Sequence, residues 1–154
     1  MRQNSAATHE EAAMKREQGF SLIELLIVVV VIGVIASIAI PALQKARKTA
    51  QAGSAIQSLR TITTAENLYE RRFKVYATLA DLAPEGTLDQ SLQSGGKSGY
   101  LFAITIPVAG NHFAANADPL LDVPEGLHFF TDDTAVIRFN QGAPADATSD
   151  PIPR

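Results

Sequence analysis

Hydrophobic and polar positions divide this chain into two regimes. From Phe20 to Leu43 every side chain is apolar or small and neutral except Glu24. Beyond Pro41 the pattern becomes periodic, with Ala52, Ile56, Leu59, Ile62, Ala65 and Tyr69 recurring at helical spacing among Lys, Arg, Gln, Ser and Thr. The continuous run of about 24 residues makes a helix of about 36 Å, enough to span a bilayer core. It is longer than the apolar region of a cleaved secretory signal, and the chain behind it continues as helix, so the run should stay in the mature protein. The amphipathic stretch predicts a second helical half over residues 44–77, with one stripe that covers a sheet.

Residues 78–99 read as a connecting loop, because Asp81 to Gly99 is rich in Gly, Ser, Asp and Gln. Four short strands are expected over 100–139: Tyr100–Ile106, Asn111–Ala117, Leu127–Thr131 and Ala135–Phe139. Pro107–Gly110 and Asp132-Asp133-Thr134 are the turn signals. Residues 140–154, with three prolines and no apolar run, predict a flexible or surface-clamped tail. The fold class is thus α+β: a long N-terminal helix, transmembrane in its first half and amphipathic in its second, packed on a small antiparallel sheet of three to four strands.

Composition removes several functions. Net charge is −3 and the basic residues sit in short groups, so nucleic-acid binding is not indicated. There is no cysteine, hence no disulfide, thiolate metal site or cysteine nucleophile. His9, His112 and His128 stand apart without paired-ligand spacing. Ser, His and Asp occur without a nucleophile elbow or triad spacing, so no catalytic residue, metal or cofactor is assigned and the chain is read as a non-enzyme. Ser94-Gly95-Gly96-Lys97-Ser98-Gly99 is not a phosphate loop, since an apolar strand follows the glycines where a helix is required.

Glu24 is the anomaly. An ionised acid in a membrane helix costs on the order of 2.5–3.5 kcal/mol on insertion scales, and no cation within the span offsets it. A cut between Gly19 and Phe20 supplies one: the new α-amino group lies one helical turn, about 6 Å, from Glu24 on the same face, or meets the Glu24 of a neighbouring copy. Within the span, Gly33 weakens the helix by about 1 kcal/mol relative to Ala, and Pro41 removes one N–H and crowds the carbonyl of Ser37. The helix should be soft between them.

Lys15-Arg16-Glu17-Gln18-Gly19 followed by Phe20-Ser21-Leu22-Ile23-Glu24-Leu25-Leu26 resembles the processing site of type IV prepilins and type II secretion pseudopilins. The resemblance implies a leader over 1–19 bearing Lys15 and Arg16, cut after Gly19 by a prepilin peptidase that also methylates Phe20. Met14 gives a compact basic leader, so residues 1–13 read as an extension of the start. By the same resemblance Glu24 recruits the subunit by pairing with the N-terminal amine of another copy, and Gly33 and Pro41 fall where relatives carry helix-softening residues.

The resemblance implies a structural filament subunit with a filament-core helix over 20–43 and a soluble head over 44–154. It serves adhesion, motility or DNA uptake in a type IV pilus, or secretion in a type II pseudopilus. Its partners would be the peptidase and N-methyltransferase, other copies and minor pilins, an inner-membrane assembly platform and, before assembly, the bilayer. Its location would be the inner membrane first, then an extracellular pilus or periplasmic pseudopilus. Asp132 and Asp133 are turn formers first; a calcium site, as in some pseudopilins, is the alternative. A bitopic membrane protein carrying a periplasmic binding domain, with the Glu24 motif accidental, is the competing class.

Overall fold

The computed structural model describes residues 19–107, 111–121 and 125–153 of the chain. Helix α1 runs from Leu22 to Phe73, followed by α2 (Leu79–Leu82), a 3-10 turn (Ala83–Glu85), α3 (Gln90–Gln93) and six strands. These are β1 (Gly96–Lys97), β2 (Tyr100–Thr105), β3 (Ala114–Pro119), β4 (Leu127–Asp132), β5 (Arg138–Gln141) and β6 (Asp150–Pro151). The fold is α+β, a long helix whose first half is apolar and an antiparallel sheet. The chain divides into two units, one ending at Pro41 and one beginning at Ala42.

In the first unit α1 begins where Leu25 N–H donates to Ser21 O at 3.1 Å. From Leu22 to Leu43 the large apolar side chains are exposed. Among the described residues α1 is the one helix long and apolar enough to cross a membrane. Helix is what a β-branched run such as Val28 to Ile32 adopts when lipid leaves the backbone no other partner.

In the second unit the helical stripe and the sheet form one core. Ala55, Leu59 and Ile62 of α1 are fully buried with Leu82, Leu92, Ala115 and Ala117, and Phe102, Phe113 and Phe129 pack beside them. Small residues on α1 and β3 bring the helix close to the sheet, and the aromatic rings of β2 and β4 fill the remaining volume. The expected stripe is rotated slightly: Ile56 and Tyr69 are only partly buried, and Ala55 and Glu66 take the interior positions.

The six strands follow chain order, each antiparallel to the next. That is two more than the upper estimate of three to four. The additional pair are two-residue edge strands, too short to leave a period in the sequence. Gly96 and Lys97 of β1 face Leu101 and Tyr100 across a two-residue turn, Ser98-Gly99, in which both residues take positive φ, 51° and 80°. This is the left-handed geometry that closes a tight hairpin. Ser54 Oγ of α1 donates to Ser98 Oγ at 2.8 Å, seating the turn on the helix. The stretch expected as a connecting loop over 78–99 therefore carries α2, the 3-10 turn, α3 and β1.

Two boundaries also move. The helix expected to reach Ala77 stops at Phe73, because Lys74 enters the left-handed region at φ 62°. Of the two expectations for residues 140–154, a flexible or a surface-clamped tail, the structure shows the clamped one. Ile152 N–H donates to Ile137 O at 3.0 Å, and β6 pairs with β5. Asn116 Nδ2 donates to Ala145 O and Arg138 Nη1 to Ser149 O, both at 3.0 Å, which holds residues 142–149 against the sheet face that carries Phe130 and His128. Composition hid this because the tail closes through backbone groups and one small residue, Ala145, rather than through an apolar run.

Candidate functional site

The Gly19–Phe20 peptide bond precedes the first helical residue, Leu22, so it lies outside the helical hydrogen-bond ladder, and both residues are exposed. A peptidase needs accessible backbone outside a helix, and this bond provides it. Phe20 is 82% exposed. Glu24 sits in the first turn of α1, where the partial positive charge of the unpaired N–H groups favours a carboxylate. It is exposed and takes part in no salt bridge among the described residues. Lys15 and Arg16 lie outside the described residues.

Gly33 and Pro41 are both interior to α1, which is continuous across them. Pro41 has no N–H for the Ser37 carbonyl, and the Ser37 hydroxyl donates back to Val34 O at 2.7 Å. A hydroxyl bonding back into its own turn competes with the helical ladder and favours bending.

The head holds titratable groups that the sequence pattern did not single out. Glu66 is fully buried; its Oε2 accepts from Ala77 N–H at 3.0 Å, while Oε1 has no hydrogen-bond partner among the described residues. Burial pushes the carboxyl up to about 7, against the lowering effect of the Ala77 bond, and the like charge of Asp81 pushes the same way. His128, also buried, places Nδ1 2.6 Å from Asp118 Oδ1 on the neighbouring strand. Glu66 was discoverable in principle, since it follows Leu59 and Ile62 on the apolar stripe. His128 and Asp118 become neighbours only through the β3–β4 register.

Asp132 accepts from the Thr134 backbone N–H at 3.0 Å and from its hydroxyl, the pattern of a turn former. Asp133 pairs with His112 at 2.9 Å. Among the described residues no three His, Cys, Asp or Glu side chains gather as a metal site would require.

The constellation with consequences is therefore the N-terminal one: an accessible Gly–Phe bond, an apolar helix exposed on all sides, and one acid in its first turn. The family model for the prokaryotic N-terminal methylation motif matches residues 14–40. This chain carries an N-terminal methylation motif. The motif supports the type IV pilin or pseudopilin class in general, in agreement with the resemblance of the junction, and that class is structural rather than enzymatic. It implies processing by prepilin peptidase and assembly with other pilins, and together with the apolar helix it is consistent with membrane anchoring. No curated protein and no solved structure matches the chain.

Proposed function

We propose that this chain is the structural subunit of a type IV pilus-like filament. It is cut between Gly19 and Phe20, methylated on the new Phe20 amine by prepilin peptidase, and assembled through residues 20–43, with residues 44–154 as the outward head. The observation that carries the reading is the Lys15–Leu26 junction placed ahead of an apolar helix with a single carboxylate. In the membrane the cleaved amine offsets the Glu24 charge; in the filament other copies and minor pilins replace lipid around the helix. An inner-membrane platform would drive the transfer.

Intact-mass measurement and N-terminal sequencing of membrane-extracted protein test the processing step. The expected chain begins at an N-methylated Phe20; a mature protein that keeps Lys15 defeats the proposal. Glu24→Ala is expected to leave cleavage intact and to reduce fibre yield severely, since its carboxylate acts on an amine and not on the peptidase. Normal fibre yield from that variant removes Glu24 as the docking group. Recovery of the chain in periplasmic rather than surface fibres assigns the pseudopilus of a type II secretion system instead of a pilus.

A further inference from the structure

Three depressions on the head share one side chain. The largest, about 480 Å³, is lined by Thr49, Gly53 and Ile56 of α1 together with Phe129, Phe139 and Ile152. A second, about 410 Å³, lies among Val136, Ile137, Pro151 and Ile152, and a third, about 250 Å³, among Thr63, Thr64, Asn67 and Ala135. Arg60 lines all three. It is exposed, and its guanidinium makes no ion pair among the described residues. Thr49, Gly53, Ile56, Arg60, Thr64 and Asn67 recur at steps of three and four, so the depressions form one trough along a single face of α1, about 27 Å long at 1.5 Å per residue.

The large depression is walled by Ile56, Phe129, Phe139 and Ile152, and an apolar depression beside one guanidinium is complementary to an apolar helix with one carboxylate, which a guanidinium fork binds through paired, charge-assisted hydrogen bonds. The chain itself supplies that helix, for its apolar segment is exposed and Glu24 is the only charged residue between Phe20 and Leu43. The spacing also agrees. Phe20 to Glu24 is one helical turn, and so is Ile56 to Arg60, so a helix laid parallel to α1 with Glu24 at Arg60 sets Phe20 against the large depression. A carboxylate carries about four lone-pair sites, so the amine of the docked copy and the forked guanidinium of the receiving copy share it.

We infer that the Arg60 trough receives the first turns of a second copy's α1, with Phe20 in the apolar depression beside Ile56 and Glu24 paired with Arg60. This deepens the filament reading and rests on it. The contact joins two different surfaces of like chains, and repetition without closure gives a polar fibre.

The cysteine-free sequence makes the test clean. Ser21 and Gln57 are exposed and hold the same offset as Glu24 and Arg60. One chain carrying Ser21→Cys is co-expressed with another carrying Gln57→Cys, and intact fibres are oxidised mildly. A disulfide-linked pair of chains is expected, whereas Ser21→Cys with Ser91→Cys, on α3, should not link. Arg60→Ala should lower the linked yield by about tenfold or more, as loss of a hydrogen-bonded charge pair does, and Arg60→Lys, which keeps the charge but lacks the fork, should restore only part of it. Thermal melts of each variant check that the exposed substitution leaves the head folded. Fibres at wild-type yield from Arg60→Ala, with no Ser21–Gln57 link, overturn the dock and leave the filament reading standing. A Gln57→Cys chain that links only to a different protein also overturns it. Wild-type chain that keeps its leader and never enters fibres overturns both.

Discussion

Glu66 ties the end of α1 to the segment after it: its carboxyl holds Ala77 N–H from inside the core, three residues beyond the left-handed Lys74. A raised native pKa means that the folded head binds this proton more tightly than the unfolded chain does. The resulting stabilisation is fully present below about 4.5, declines as pH rises towards about 7, and is gone above that value. The shift corresponds to at most about 3 kcal/mol. Glu66→Gln keeps an oxygen for Ala77 and removes the titration, so its melting temperature should be nearly flat between pH 5 and about 8 while the wild-type value falls, once the other carboxylates are accounted for. A wild-type profile parallel to that of the variant would show that Glu66 is not the group responsible. Sequence periodicity places an acid on the stripe at this position but says nothing of its neighbours, because Ala77 arrives there only after the chain has reversed at Lys74. Glu24 is the opposite case. Its anomaly is purely local, an acid in an apolar run, and so it was visible without any tertiary information.

Helix α1 joins an apolar half to an amphipathic one. Its apolar half was legible because length and composition alone set it, and its amphipathic half because the 3.6-residue period is strong; its end was not, because one residue's φ decides it. Pro41 lies inside the helix with the Ser37 carbonyl left without its usual donor. In a filament, neighbouring helices can cover backbone that lipid cannot, and α1 is expected to lose regular hydrogen bonding between Gly33 and Pro41 on assembly. Pro41→Ala restores the missing donor and should give fibres with helix continuous through Ser37 and reduced extensibility, read from a density map and from force–extension curves. Unchanged rise and extensibility in that variant, or unbroken helix through Ser37 in wild-type fibres, would make the proline incidental.

At the scale of the whole head, the sequence indicated the α+β class and the four longer strands, with ends displaced by at most three residues, because short apolar runs bounded by Gly, Pro and Asp are local signals. For the tail the sequence left flexible and surface-clamped states open, because its order comes from single long-range bonds: Asn116 to Ala145 and Arg138 to Ser149. Ending the chain after Gln141 removes both acceptors and β6, and uncovers Phe130 and His128. Loss of about 3–5 kcal/mol of head stability is expected from one exposed aromatic side chain and the broken hydrogen bonds. Denaturant titration and limited proteolysis of the full-length and shortened proteins measure it; equal midpoints would show that the tail merely decorates the sheet.

The two outermost strands, β1 and β6, are each two residues long, and the second contains Pro151. A sheet grows by recruiting another backbone along a free margin, and these two short end strands, one of them carrying an imide, present few groups of their own to recruit. In the filament proposed above, identical heads align densely and meet that hazard throughout. With those end strands blunted, heads in such a filament offer one another less backbone to pair with, and the order of the assembly is left to the helices.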